Sequence, residues 1–251
     1  GITVVGRRRS RPVGVLRAPS EEEQAWIKAM AKRRTAVPKG VFKYRTMAAA
    51  NADWERWQAD AMVAKTKKLP QSKATLADQQ VEQVKQPDLF TRPATWDDVI
   101  VTVRLLATHH VRFVLVGGYA LAAHGYVRMT EDIDIAVAPD AENTRRWIAA
   151  LSQLPDGAAR TLRDDPDVFA EDPHHAIRIN DEWTVDILPS VADVAFAELQ
   201  AHIEYLDING ASIPVLDLPG LLKTKQGIHP KDRADAEILR QALASGSQEE
   251  I

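Results

Sequence analysis

Val111–Val137 reads VRFVLVGGYALAAHGYVRMTEDIDIAV, and its pattern decides the fold. The apolar run before Gly117 predicts a buried strand, the Gly117-Gly118 pair breaks it, and small residues then continue as a helix. DIDIAV alternates with the period of a half-buried strand. Side chains two apart in a strand share a face, so Asp132 and Asp134 aim together while Ile133 and Ile135 turn into a core. Gly117 and Gly118 stand where a strand ends and a helix begins. Backbone N–H groups there can accept a triphosphate, because no Cβ blocks close approach and a helix N-terminus favours anions. Paired carboxylates beside such a turn point to metal-assisted chemistry on a nucleotide.

Elements of both kinds flank this unit. TWDDVIVTVRLLATHH carries a Thr95 cap, acids in its first turn and apolar residues at helical spacing. AENTRRWIAALSQL predicts a second helix, and HHAIRIN and WTVDIL predict strands. IEYLDIN and ASIPVL predict a hairpin turning at Asn209-Gly210. LPGLLKTKQGIHPKDRADAEILRQAL predicts two helices parted by Gly227 to Pro230. Alternating strands and helices with a hairpin make an α/β domain of mixed sheet with a helical C-terminal tail.

Ahead of it the composition differs. Residues 1–95 hold 19 Lys and Arg against 9 Asp and Glu, a net +10, whereas residues 96–251 hold 13 against 26, a net −13. Such asymmetry suggests that the basic half either binds nucleic acid or lies on the acidic half. Residues 1–20 predict an extended arm, and Ser20 with Glu23 a capping box opening a helix to about Arg34 that buries Trp26, Ile27 and Met30. Val41, Phe42 and Tyr44 suggest a short extended piece, and a second helix runs from about Met47 to Lys65. The expected organisation is a small, mainly helical basic module over residues 1–64, a polar linker over 65–94 with helical character around Leu76 to Val84, and the α/β domain over 95–251.

The chain has no cysteine, which excludes disulfides and thiolate metal sites and fits a cytoplasmic protein. No apolar run reaches the roughly 18 residues of a membrane span, and no apolar segment follows the N-terminal arginines as a secretory signal requires.

A two-metal site needs a third carboxylate from a neighbouring strand, and WTVDIL supplies Asp186. An acid in an apolar strand is costly unless it meets a metal or a hydrogen bond. Asp132, Asp134 and Asp186 are therefore the expected ligands of Mg²⁺, which prefers hard oxygen donors. Two ions about 3.5–4 Å apart could clamp the attacking and leaving oxygens of an in-line displacement. Asp186 is also the candidate to take the proton of the attacking hydroxyl. Between glycines and aspartates, Arg128 could meet a phosphate or pair with Asp134, and Thr130 could orient a carboxylate. His124 reads as a packed or hydrogen-bonded helix residue rather than a catalyst, and His174-His175 as the entry to a strand.

GGYALAAHGYVRMTEDIDIAV followed by VDIL resembles the nucleotidyltransferase superfamily with the DNA polymerase beta fold. LLKTKQGIHPKDRADAEILR resembles the Lys…Lys-Asp-x-x-Asp element of the AbiEii-type branch, the nucleotidyltransferase toxins of abortive-infection and toxin–antitoxin systems. The resemblance covers about Thr95 to Leu243. It implies an enzyme that binds a nucleoside triphosphate with Mg²⁺ and transfers the nucleotidyl group to an acceptor hydroxyl, at the tRNA 3′ end or on a protein. It also implies that Lys223 or Lys225 contacts the triphosphate, with Lys231 and Asp232 helping to hold it. Asp235 would support Lys231 or Arg233. His229-Pro230 departs from related toxins, which often carry an Arg there.

VPKGVFKYRTMAAANADWERWQAD resembles small proteins encoded beside such toxins, which makes residues 1–94 an antitoxin-like module in cis, an antitoxin in trans being the other arrangement. Its charge would complement the domain and could cover the acidic cleft. The competing reading is an RNA-holding arm, with Arg7, Arg8, Arg9, Arg11 and Arg17 along a tRNA backbone, and the Trp pair as core. For the whole chain, the alternatives are an aminoglycoside or lincosamide nucleotidyltransferase and a non-catalytic nucleotide- or partner-binding module.

Overall fold

The computed structural model describes residues 13–67, 89–165, 167–170, 175–226 and 230–246. Arg7, Arg8, Arg9 and Arg11, the helical character around Leu76 to Val84, and His174, Gly227 and His229 lie outside these residues. In chain order the elements are α1 (Glu21–Met30), β1 (Gly40–Tyr44), α2 (Met47–Lys67), α3 (Trp96–Thr108), β2 (Phe113–Leu115), α4 (Gly117–Ala123), β3 (Asp132–Val137) and α5 (Ala141–Leu151). There follow β4 (Ala176–Asn180), β5 (Thr184–Leu188), the short pair β6 (Ser190–Val191) and β7 (Val194–Ala195), and α6 (Phe196–Leu199). The chain closes with β8 (Ile203–Ile208), β9 (Ala211–Leu216), α7 (Leu218–Lys223) and α8 (Pro230–Gly246).

Seven strands form one mixed sheet in the order β1-β4-β5-β3-β2-β9-β8. β3 runs parallel to β5 and antiparallel to β2, as β4 does to β5. The β8–β9 hairpin turns at Asn209 and Gly210, both at positive φ (51° and 70°), as a two-residue primed turn requires. The expected mixed α/β fold with a C-terminal helix is thus present.

Local chemistry explains the helix starts. Thr95 and Asp98 form a reciprocal capping box at α3, and Ser20 and Glu23 do so at α1. Arg92 fixes the entry to the domain: its guanidinium bridges Asp98 (2.6 and 2.8 Å) and Glu182 (2.8 Å) and lies over the Trp183 ring. The core is built from Val99, Val103 and Leu106 of α3, Leu115 of β2, Ile133 and Ile135 of β3, Trp147 of α5 and Ile187 of β5.

In the N-terminal segment one feature departs from expectation and another is present with a partner the sequence did not name. α1 stops at Met30, and none of its residues is buried; Trp26 is 44% exposed. The helix rides on a surface whose core is already closed, so only a shallow shelf remains for Trp26, Ile27 and Met30, beside Val127 and Tyr119. The extended piece around Phe42 is a strand of the main sheet, paired antiparallel with β4 from Gly40↔Asn180 to Tyr44↔Ala176. Phe42 packs on Trp57 of α2 at 5.1 Å between ring centroids.

Candidate active site

Strand register assembles the site. β3 and β5 align Asp134 with Asp186, and β4 and β5 align Arg178 with Asp186. Residues opposed across neighbouring strands share a face, so Asp134, Asp186 and Arg178 form a row, with Asp132 two residues away on the same side. Ile133 and Ile135 take the other side and are fully buried. One ligand atom from each of Asp132, Asp134 and Asp186 lies within 4.8 Å of the others.

The glycine turn is shaped around this row. Gly117 sits at φ 64°, in the left-handed region, and a Cβ there would stand 1.9 Å from Asp134 Oδ2. A Cβ on Gly118 would stand 2.5 Å from Thr130 Oγ1. The glycines therefore leave room for the Asp134 carboxylate and for Thr130, whose Oγ1 donates to Asp132 Oδ1 at 3.1 Å and orients that second carboxylate. Val116, the residue before α4, gives no side-chain cap to the helix, which leaves the first-turn N–H groups to other acceptors.

The electrostatics are those of acids crowded without enough cations. Burial, reinforced by Asp132 and Asp186 against the pull of Lys225 and Arg128, raises the Asp134 carboxyl to about 7. Burial likewise raises Asp186, opposed by Arg178. Three hard oxygen donors held together at this cost fit one or two divalent cations, whose charge would relieve the repulsion.

The C-terminal helices bring the cations. Lys225 lies at the cleft between Asp232 Oδ1 (3.3 Å) and Asp235 Oδ2 (3.2 Å), its side chain 10% exposed. Lys231 and Asp232 line the same cleft. Lys223 stands apart, with its Nζ 2.9 Å from His202 Nε2. Arg128 pairs with Asp235 (3.2 Å) rather than with Asp134. Asp235 is thus a buried bracket for Lys225 and Arg128, two partners that its helical spacing did not suggest. His124 is buried and hydrogen-bonded to the Leu216 carbonyl at 2.7 Å, a structural residue as expected.

Sequence reasoning missed Arg178. It is 1% exposed and grips Asp186 with two bonds, Nε to Oδ1 (2.8 Å) and Nη2 to Oδ2 (2.7 Å), while Nη2 stands 3.8 Å from Asp132 Oδ2. The signal was a lone Arg in the apolar strand AIRIN, one short turn before a strand with a lone Asp. The open cleft, about 1120 Å³, is lined by Gly117, Thr130, Asp132, Asp134 and Lys225 on one side. Its other wall comes from the N-terminal segment: Arg45, Thr46, Met47, Ala48, Asn51 and Glu55.

Residues 101–225 match the family described as nucleotidyl transferase AbiEii toxin, Type IV TA system. No curated protein matches the chain. Among solved structures it is similar to a provisionally assigned nucleotidyltransferase of Thermotoga maritima, at 18% identity over 60% of this chain and 92% of that one, TM-score 0.37. It is also similar to an antigenic nucleotidyltransferase-like protein of Paracoccidioides brasiliensis, at 17% identity over 60% and 86%, TM-score 0.34.

Proposed function

Residues 101–225 are an AbiEii-type nucleotidyltransferase domain, and on that premise we propose that the chain is a Mg²⁺-dependent toxin enzyme that transfers a nucleoside monophosphate from a triphosphate to an acceptor hydroxyl. The observation that carries the reading is the convergence of Asp132, Asp134 and Asp186 beside Gly117. When bound, the divalent cations would supply charge neutralisation of the triphosphate and of the leaving pyrophosphate. The three aspartates would hold them, and Thr130 keeps Asp132 turned toward that place. Lys225, Lys231 and Arg128 meet the triphosphate as point charges and a planar fork, with the uncapped start of α4 beside them. The acceptor oxygen forms its bond to the α-phosphorus as the bond to the bridging oxygen breaks, and pyrophosphate leaves. The acceptor proton passes to Asp186, which can take it only after Arg178 withdraws from its two oxygens.

The cleft exceeds the roughly 300–1,000 Å³ of ordinary small-ligand pockets, so it has room for a triphosphate and the end of a macromolecule. Each of four α-labelled nucleoside triphosphates, incubated with Mg²⁺, total tRNA and total protein, tests this. Label in tRNA carries the reading, label in protein moves the acceptor to a protein hydroxyl, and label in neither pool overturns it. Loss of labelling in Asp132→Ala must accompany a positive result.

A further inference from the structure

We propose that residues 37–55 are a gate on the metal site acting in cis: a basic strand docks on the edge of β4 and delivers α2, whose backbone locks Arg178 onto Asp186. The proposal deepens the nucleotidyltransferase reading and rests on it.

The segment contributes little to the fully buried core of the domain. The buried apolar cluster runs from Ala94 to Leu239, and among the described residues before Ala94 only Ala31, Val37 and Ala50 are buried hydrophobics. Val41, Tyr44 and Met47 pack half-buried against that cluster, and a sheet edge and charge complete the attachment. β1 extends the sheet along β4, and Asn180 Nδ2 donates to the Pro38 carbonyl at 2.7 Å. Lys28 pairs with Asp97 (2.8 Å), Lys39 with Asp156 (2.5 Å), and Lys43 with Asp165. In each of these pairs the cation belongs to the N-terminal part of the chain, Lys28 ahead of the gate and Lys39 and Lys43 within it, and the anion to the domain. Strand addition plus complementary charge is how separate partners recognise one another; a continuous core is how one domain is built.

Docking has a chemical consequence. β1 leads into α2, and the Ala50 carbonyl accepts from Arg178 Nη1 at 3.1 Å. With that nitrogen held, the remaining guanidinium edge covers both oxygens of Asp186 and reaches toward Asp132. A fixed internal cation thus takes the carboxylate that a divalent cation needs. Release of α2 frees Nη1, lets the guanidinium turn to solvent, and makes Asp186 available. It also removes Met47, Asn51 and Glu55 from the cleft wall.

The test uses the full chain. Lys39→Glu with Lys43→Glu breaks the docking pairs without touching the site, and adding Asp156→Lys with Asp165→Lys restores them with reversed sign. Ala50→Leu displaces α2 by a second route, because Ala50 is fully buried against its surroundings. The readouts are chymotryptic cleavage at Trp54 and Trp57, Mn²⁺ affinity by electron paramagnetic resonance, and nucleotide transfer. The expected result is faster cleavage and Mn²⁺ affinity raised about tenfold, the scale of one hydrogen bond to a charged group, in both the Lys39/Lys43 and the Ala50 variants. The charge swap should return both to the starting values. Faster cleavage with unchanged or weaker Mn²⁺ binding overturns the gate and makes α2 an integral part of the site. Tighter Mn²⁺ binding without nucleotide transfer in any variant supports the gate and counts against the transfer reaction instead.

Discussion

Asp134→Asn isolates the electrostatic strain in the carboxylate row. Asp134 is raised from 3.8 to about 7, chiefly by burial, so the folded protein holds this proton more tightly than the unfolded chain. The stabilisation is fully present below the unfolded value and is lost as pH rises through the folded one. About 3 pH units at 1.36 kcal/mol each cap the loss at about 4 kcal/mol. The proton is shared among interacting carboxylates, so half of that ceiling, about 2 kcal/mol, is the working figure. Asparagine keeps the shape and never ionises. In chelator at about pH 8 the variant should melt about 4–8 °C above the parent, with the gap closing toward about pH 4. Added Mg²⁺ should raise the parent's melting temperature and leave the variant's unchanged. Thermal melts across that pH range, with and without metal, measure all of this. A variant that melts at or below the parent at the alkaline end, or a gap that ignores pH, would refute the account of Asp134.

Gly117→Ala places a Cβ against Asp134 Oδ2 at a positive φ, so transfer should fall at least about a hundredfold while stability drops by about 1–3 kcal/mol; initial rates and urea melts give the two numbers. Arg178→Met leaves Asp186 buried without its partner and should cost about 3–5 kcal/mol. That loss should be larger at alkaline than at acid pH, because the Asp186 carboxyl, already raised by burial, loses the cation that opposes the shift; urea melts at two pH values decide it. Lys225→Ala should raise the KM for the triphosphate about tenfold or more, since a hydrogen bond to a charged group contributes about 1.5–3 kcal/mol. Lys223→Ala should leave that KM unchanged, because Lys223 faces His202 instead of the cleft; equal effects in the two variants would contradict the placement.

The legible part of the site was local. Period-two alternation in DIDIAV fixed the common face of Asp132 and Asp134, and a turn that tolerates no Cβ fixed Gly117 and Gly118. Thr130 was legible as an orienting residue because two positions separate it from Asp132. The capping boxes at Ser20 and Thr95 and the primed turn at Asn209-Gly210 follow the same logic, since each needs only neighbours within three residues. Asp186 was within reach because a lone acid in an apolar strand demands a partner.

The identity of that partner needed register. Arg178 opposes Asp186 only because β4 and β5 pair with one alignment, and a slip of one residue would send it to the other face. Asp235 looked like a local partner on its own helix, yet α8 packs so that it meets Arg128, 107 residues earlier in the chain. Choosing Lys225 over Lys223 likewise took the packing of α7 and α8. The N-terminal segment shows the difference most plainly. Its charge and its strand and helix periods are properties of short sequence windows. That its strand would join the edge of β4, and bring the Ala50 carbonyl to a buried arginine 128 residues away in the chain, is a long-range pairing. Local chemistry determines which groups need partners, and only tertiary packing selects among the many partners the chain could offer.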